Sequence, residues 1–141
     1  MQRKATAQWS GGIRDGKGSI STASGVLSAA PYSFQTRFEE GAGTNPEELL
    51  AAAHAGCFSM ALANILGAAG VKPEEIRTSA TITLIKDESG FTISESHLDV
   101  TAKIPGASAD VFQKAAAAAE TGCPVSKLFK AKITMDAKLE A

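Results

Sequence analysis

The stretch TNPEELLAAAHAGCFSMALANILGAAG, Thr44 to Gly70, decides how the rest of the chain is read. After Glu48 nearly every position is alanine, glycine, leucine or methionine, which predicts one long helix without a strongly polar face. Such a helix is stable only when surrounded, so it is expected to be the central buried element. Its ends are well punctuated. Asn45 suits the N-cap, Pro46 the first helical position, and Glu48 stands three residues after Asn45 in a capping-box spacing. Gly70 suits the C′ position, with Pro73 beyond it to stop the helix. With Glu48 engaged at the cap, Glu47 is the carboxylate left for another task.

The 141 residues predict a single domain over 1–141, large enough for its own core, although chains of this size often gain more by dimerising. A formal net charge of -1 gives no reason to expect nucleic acid or an anionic membrane as a partner. The alanine-rich helix reads as too weakly hydrophobic to span a bilayer. The N-terminus MQRKATAQWS lacks the apolar core of a signal peptide, so cytoplasmic residence is the expectation. In a reducing compartment the two cysteines are poor candidates for a structural disulfide, which leaves core packing, metal ligation or redox chemistry.

Outward from the helix, the pattern predicts an α+β chain. Lys4–Ser10 alternates as a strand, GGIRDGKG (11–18) is a glycine-rich hairpin turn, and Gly18–Ala23 returns. Tyr32–Phe38 reads as a third short strand with Arg37 near its end. Ile76–Lys86 and Phe91–Ile104 form a long hairpin about Asp87–Gly90; the apolar phase slips within the second strand, and a β-bulge near Ser94–Ser96 accounts for it. Ser108 caps a helix over Ala109–Thr121, Pro124–Lys130 is a short further helix, and Ala131–Leu139 is a final strand.

Few residues can carry chemistry. Cys57 is open to two readings, a buried core thiol or a reactive one. Cys123, in GCP at a helix junction, lies at or beside an N-cap, where amide hydrogens and the helix dipole stabilise a thiolate. Arg37 is either a solvated charge or a guanidinium serving a thiolate or substrate; Arg14 sits in a glycine turn. His54 precedes Cys57 by three positions, which admits a Cys–His nucleophile of the hydrolase type, or a metal site made from His54, Cys57 and Cys123. His97 lies in a polar strand phase with no evident ligand neighbour.

The segments GTNPEELLAAAHAGCFSMAL (43–62) and AETGCPVSKLF (119–129), with the C-terminal strand, resemble the family of osmotically inducible protein C and organic hydroperoxide resistance proteins. SGVLSAAPYSFQTRFEEGAGTNPEEL (24–49) looks like its OsmC branch. The resemblance implies curved antiparallel sheets around long central helices in an intertwined homodimer. It also implies a thiol-dependent peroxidase that prefers organic hydroperoxides to hydrogen peroxide, is reduced by a dithiol, and needs no cofactor or metal.

Carried over position by position, the resemblance makes Cys57 the peroxidatic cysteine, Cys123 the resolving cysteine and Glu47 the carboxylate that holds the catalytic arginine. Arg37 fits the OsmC branch; Arg14 would fit the other branch's GGRDG turn only with Ile13 inserted, so Arg37 is preferred. Helix electrostatics alone would have chosen Cys123 as the attacking thiol. With the order reversed, mid-helix Cys57 needs a nearby cation to ionise. Phe58, Met60, Phe34 and Phe129 read as core or as a lining for bulky peroxides. Glu47 and Cys57 are ten positions apart, a rise of about 15 Å, so one guanidinium does not easily meet both within one chain. A homodimer with active sites at its interface resolves this. The competing readings are a cysteine hydrolase using His54 and a non-enzymatic dimeric binding module.

Overall fold

Ala5–Ser10 (β1) and Lys17–Thr22 (β2) pair antiparallel about the glycine turn, and Ala30–Tyr32 (β3) adds to the far edge of β2. Trp9 and Tyr32 are both half-buried, their rings 5.5 Å apart, and the Trp9 indole donates to the Gly11 carbonyl at 2.9 Å. The computed structural model describes residues 1–140, and these strands belong to the first of its two compact units, Met1–Leu49; the second runs from Leu50 onward.

The strand expected over Tyr32–Phe38 ends at Tyr32, and Phe34–Phe38 is a short helix (α1) instead. The cause is a reciprocal capping box: the Ser33 hydroxyl accepts from the Thr36 amide at 3.3 Å while the Thr36 hydroxyl accepts from the Ser33 amide at 2.8 Å. Phe34 and Phe38, one turn apart, pack ring to ring at 5.0 Å, a pairing that an extended chain would not give.

Pro46–Ala68 (α2) is the long helix, two residues in from each end of the Thr44–Gly70 stretch, as the expected caps require. The Asn45 side chain accepts from the Glu48 amide at 2.8 Å, but Glu48 takes the Thr44 hydroxyl, also at 2.8 Å, in place of the Asn45 amide. At the far end Gly70 has φ +81°; its amide reaches the Gly67 carbonyl and the Val71 amide the Leu66 carbonyl, each at 3.0 Å. These are the two bonds of a Schellman cap, closed by the apolar pair Leu66 and Val71.

The helix is not surrounded within its chain. His54, Phe58, Leu62 and Leu66, spaced by four, are buried, whereas Ala52, Ala53, Gly56, Met60 and Gly67 are exposed, Met60 at 77%. The reading of α2 as too weakly hydrophobic for a membrane is also corrected: its best 18-residue window has a mean hydropathy of 1.7, enough by length and composition to cross one. Its fully buried line of Phe58, Leu62 and Leu66 is what a core helix of a folded domain shows.

Glu75–Asp87 (β4) and Gly90–Lys103 (β5) form the long hairpin. The register slips between Thr83 and Leu84, leaving Ser94 as the extra residue on β5, at the expected bulge. Ala109–Gly122 (α3) is capped by Ser108, whose hydroxyl accepts from the Val111 amide at 3.2 Å; Pro124–Leu128 (α4) follows. Lys132–Glu140 (β6) then joins β5 in parallel. A parallel neighbour needs a crossover, which α3 and α4 supply. Leu98, Val100 and Ala102 of β5, with Ile104 just beyond it, form the core of this unit with Phe58, Leu62 and Leu66 of α2 and Phe112, Ala115, Ala116 and Ala119 of α3. Each large side chain among them stabilises the fold by roughly 1.5–3 kcal/mol.

The α+β class holds, but curved antiparallel sheets wrapped about central helices in an intertwined dimer do not describe this molecule. There are two separate three-stranded sheets, neither closed, and the second is mixed. All six strands find their partners inside one chain, so no exchange of strands between subunits is required.

Candidate active site

The two thiols are brought together by the core of the second unit. Cys57 flanks the buried line of α2 and is half-buried; Cys123 is wholly buried where α3 hands over to α4, and both are free. Cys123 serves both helices. Its amide closes α3 on the Ala119 carbonyl at 3.1 Å, and its sulfur accepts from the Ser126 amide at 3.3 Å as the N-cap of α4, with Pro124 in the first turn where a missing amide hydrogen costs nothing. The same turn donates to the other thiol, the Val125 amide lying 3.5 Å from Cys57 Sγ. The two thiols are neighbours that act on one another.

The local environment pushes the Cys57 pKa above its ordinary value. Burial is the main cause, the Val125 amide opposes it, and the adjoining Cys123 adds to the rise. Cys57 thus sits where oxidation chemistry can join it to Cys123, but among the described residues of its own unit no charge favours the thiolate.

His54 does not touch Cys57. It is fully buried, with Nδ1 2.6 Å from the Ser96 hydroxyl on β5 and Nε2 2.8 Å from the Ser126 hydroxyl on α4. Phe129 packs edge-on against its ring at 5.0 Å. With both nitrogens held by serines, His54 is neither a base in contact with Cys57 nor a metal ligand beside Cys57 and Cys123. Burial holds its pKa below the usual histidine value, so the ring is neutral near pH 7. The Ser126 hydroxyl in turn lies 3.1 Å from Cys123 Sγ. Ser126 has a sequence signal that went unread, standing three residues after Cys123 at the spacing of a cap. Ser96 has none, because only the tertiary fold brings it to position 54.

In the first unit Arg37 closes on Glu47. The guanidinium offers Nε and Nη2 to both carboxylate oxygens at 2.7–3.2 Å, with the Glu47 side chain only 12% exposed. Arg14 lies elsewhere, over the face of Phe34 at 4.6 Å. Trp9, Ile13, Tyr32, Phe34, Phe38 and Pro46 line a largely apolar cavity of about 270 Å³ that Arg37 also borders. Of the residues read as lining for bulky peroxides, only Phe34 is in this cavity; Phe58 is wholly buried core, and Phe129 serves His54.

His97 has ligand-like neighbours after all. It lies beside Asp99 and Asp136, at 3.5 and 2.9 Å, and also bonds Thr134. All four side chains project from β5 and β6, away from the thiols' helices, and the cluster is exposed on its acidic side.

The family model described as OsmC-like protein matches residues 39–138. Peroxiredoxin OsmC of Escherichia coli is 48% identical over 141 residues, covering all of this chain and 99% of that protein. The organic hydroperoxide resistance protein OhrB of Bacillus subtilis is 32% identical over 125 residues, 87% of this chain and 88% of its own. The crystal structure of that OhrB superposes with a TM-score of 0.72 over 99% of this chain and 98% of its own, at 27% identity. An OsmC-like protein from Mycoplasma pneumoniae, only 13% identical, reaches a TM-score of 0.77 over the whole of this chain and 99% of its own, which speaks for the fold alone.

Proposed function

The chain belongs to the OsmC-like protein family, and from that premise we propose the following chemistry for its two thiols. The protein is a cysteine-based peroxidase that reduces organic hydroperoxides to alcohols. The observation that carries this reading is the pair of free, neighbouring thiols, one half-exposed and one wholly buried, that take the Val125 and Ser126 amides of a single helix N-terminus. An oxidant reaches Cys57 first; Cys123 is placed only to meet what Cys57 becomes.

Cys57 thiolate attacks the outer peroxide oxygen, the O–O bond breaks, and the inner oxygen leaves as alkoxide, which takes up a proton to give the alcohol. Cys57 is left as a sulfenic acid. Cys123 condenses with it to a disulfide, releasing water, and an external dithiol restores both thiols. Sulfur carries both electrons, so no cofactor or metal takes part.

The role proposed for Arg37 is to supply the cation that Cys57 lacks in its own unit, with Glu47 fixing the guanidinium by its bidentate grip. The apolar cavity that Arg37 borders takes the organic part of the peroxide. Cys57 lies about 15 Å along α2 from Glu47, so the site is completed by a second copy. In this homodimer two α2 helices lie antiparallel, and Glu47 with Arg37 of one comes level with Cys57 of the other. Gly56 supports this arrangement. A Cβ there would meet nothing within 4 Å in its own chain, yet glycine inside a helix costs roughly 0.5–1 kcal/mol relative to alanine. A helix laid against that face gives the glycine a reason. The protein is cytoplasmic, where dithiol reductants are available, and acts in defence against oxidative and osmotic stress.

Steady-state consumption of cumene hydroperoxide with dithiothreitol tests the activity. It should exceed consumption of hydrogen peroxide at equal concentration, and hydrolysis of a simple ester should be absent. Ester turnover without peroxide turnover would overturn the reading.

A further inference from the structure

The peroxidase chemistry requires that Cys123, a buried thiol, lose its proton at the moment Cys57 has become a sulfenic acid. That proton has no direct route to solvent, because Cys123 is 0% exposed. It has a route through side chains. Cys123 Sγ, Ser126 Oγ, His54 Nε2, His54 Nδ1 and Ser96 Oγ form one continuous line, with contacts of 3.1, 2.8 and 2.6 Å on either side of the ring. We infer that His54, acting through Ser126, is the proton acceptor that turns Cys123 into a thiolate for disulfide formation.

The line has a direction. Neutral imidazole has one N–H and one lone pair. With Nδ1–H donating to Ser96, Nε2 accepts from the Ser126 hydroxyl, which leaves a Ser126 lone pair for the Cys123 S–H. The thiol proton passes to Ser126 Oγ as the serine's own proton passes to Nε2. The result is a thiolate that the Ser126 amide and hydroxyl both stabilise, paired with an imidazolium braced by Ser96. The thiolate attacks the Cys57 sulfur, the S–S bond forms and the S–O bond breaks. The departing hydroxide recovers the proton from His54 as water, so nothing is gained or lost beyond the sulfenic acid's own oxidation state.

Burial suits His54 to this task, since it keeps the ring neutral and its lone pair available near pH 7. Among the described residues the titratable group linked to the ring is Cys123, through Ser126, at the α3–α4 junction; β5 offers Ser96, Phe129 covers one edge, and Cys57, three positions on along α2, makes no bond to it. Among the described residues no carboxylate acts on it. Because it works through Ser126, His54 is a positioning residue, and this role rests on the peroxidase reading.

Rapid quench with one equivalent of cumene hydroperoxide, followed by mass spectrometry, separates the two steps. The sulfenic acid reports Cys57 oxidation; the disulfide reports Cys123 attack. In the wild type the disulfide step should be level with pH above about 6.5 and slower in D₂O. Ser126→Ala, which removes one oxygen, should form the sulfenic acid at the wild-type rate and the disulfide about a hundredfold more slowly. Its disulfide rate should now climb with pH toward the range of an unassisted thiol, about 8.5. Ser126→Thr should restore the level profile, whereas His54→Gln, which keeps hydrogen bonds but not basicity, should behave as Ser126→Ala does. An unchanged disulfide rate and profile in Ser126→Ala would overturn the proposal. So would a wild-type disulfide step that rises with pH and shows no isotope effect, a result that needs no variant to fold. Wild type that forms no sulfenic acid at all would instead sink the peroxidase reading itself, and this role with it.

Discussion

A cysteine in the middle of a helix is an unpromising nucleophile, and Cys57 is one. Its own surroundings raise its pKa through burial and through a neighbouring thiol, so the cation proposed to activate it is one from outside them. The residue types that the proposed site uses were legible in the chain: both thiols, Glu47 as the carboxylate free of the Thr44 hydroxyl that Glu48 takes, and Arg37, which pairs with Glu47. The histidine was legible as a neighbour of Cys57 in sequence but not in its bonds. Its partners, Ser96 and Ser126, come from 42 and 72 residues away, and nothing local in a helix codes for them. The buried ring also sets a pH dependence. Its pKa is below the unfolded value, so between the two the unfolded chain binds more protons and stability rises with pH. The contribution is complete above about pH 6.5 and is lost as pH falls toward the folded value. Urea midpoints measured from pH 7.5 to 5 should therefore fall on acidification in the wild type and fall less in His54→Gln; parallel curves would show that the ring titrates normally.

At the scale of elements, punctuation was easier to read than pairing. The caps of α2 fell where Asn45, Pro46 and Gly70 placed them, because capping is decided within a few residues. Gly70 carries the left-handed turn that ends the helix, and Gly70→Ala should cost about 1–2 kcal/mol. Equilibrium urea unfolding checks this; an unchanged midpoint would mean that the Schellman cap contributes nothing. Phe34–Phe38 was misread as strand because its aromatic and β-branched composition suits a sheet, while the Ser33–Thr36 box that wins is a matter of two hydroxyls. The bulge at Ser94 was visible as a slip in apolar phase, which is a local signal. The parallel placement of β6 was not, since alternation within a strand says which face is buried and not which direction its neighbour runs.

At the scale of the molecule, α2 leaves an apolar face uncovered, with Met60 at 77% exposure and Gly56 open to its surroundings. Its all-round apolar composition announced a helix that wants neighbours on every side, and one chain supplies them on one side only. In the proposed homodimer a second copy covers the rest and brings the Arg37–Glu47 pair to the thiols. Mixing Cys57→Ser with Glu47→Ala chains, each inactive, by co-refolding should restore activity, because one site of each heterodimer then has an intact Cys57 facing an intact Glu47. Mixtures that stay inactive, with heterodimers verified by native mass spectrometry, would place each site within a single chain.

The central claim is that oxidation passes from Cys57 to Cys123, and titration with cumene hydroperoxide followed by peptide mass spectrometry meets it most directly. One equivalent should convert the wild type to a Cys57–Cys123 disulfide. In Cys123→Ser the reaction should stop at a sulfenic acid on Cys57, which overoxidises with further peroxide, and Cys57→Ser should consume none. A peroxide equivalent taken up by Cys57→Ser, with Cys123→Ser inert, would contradict the account.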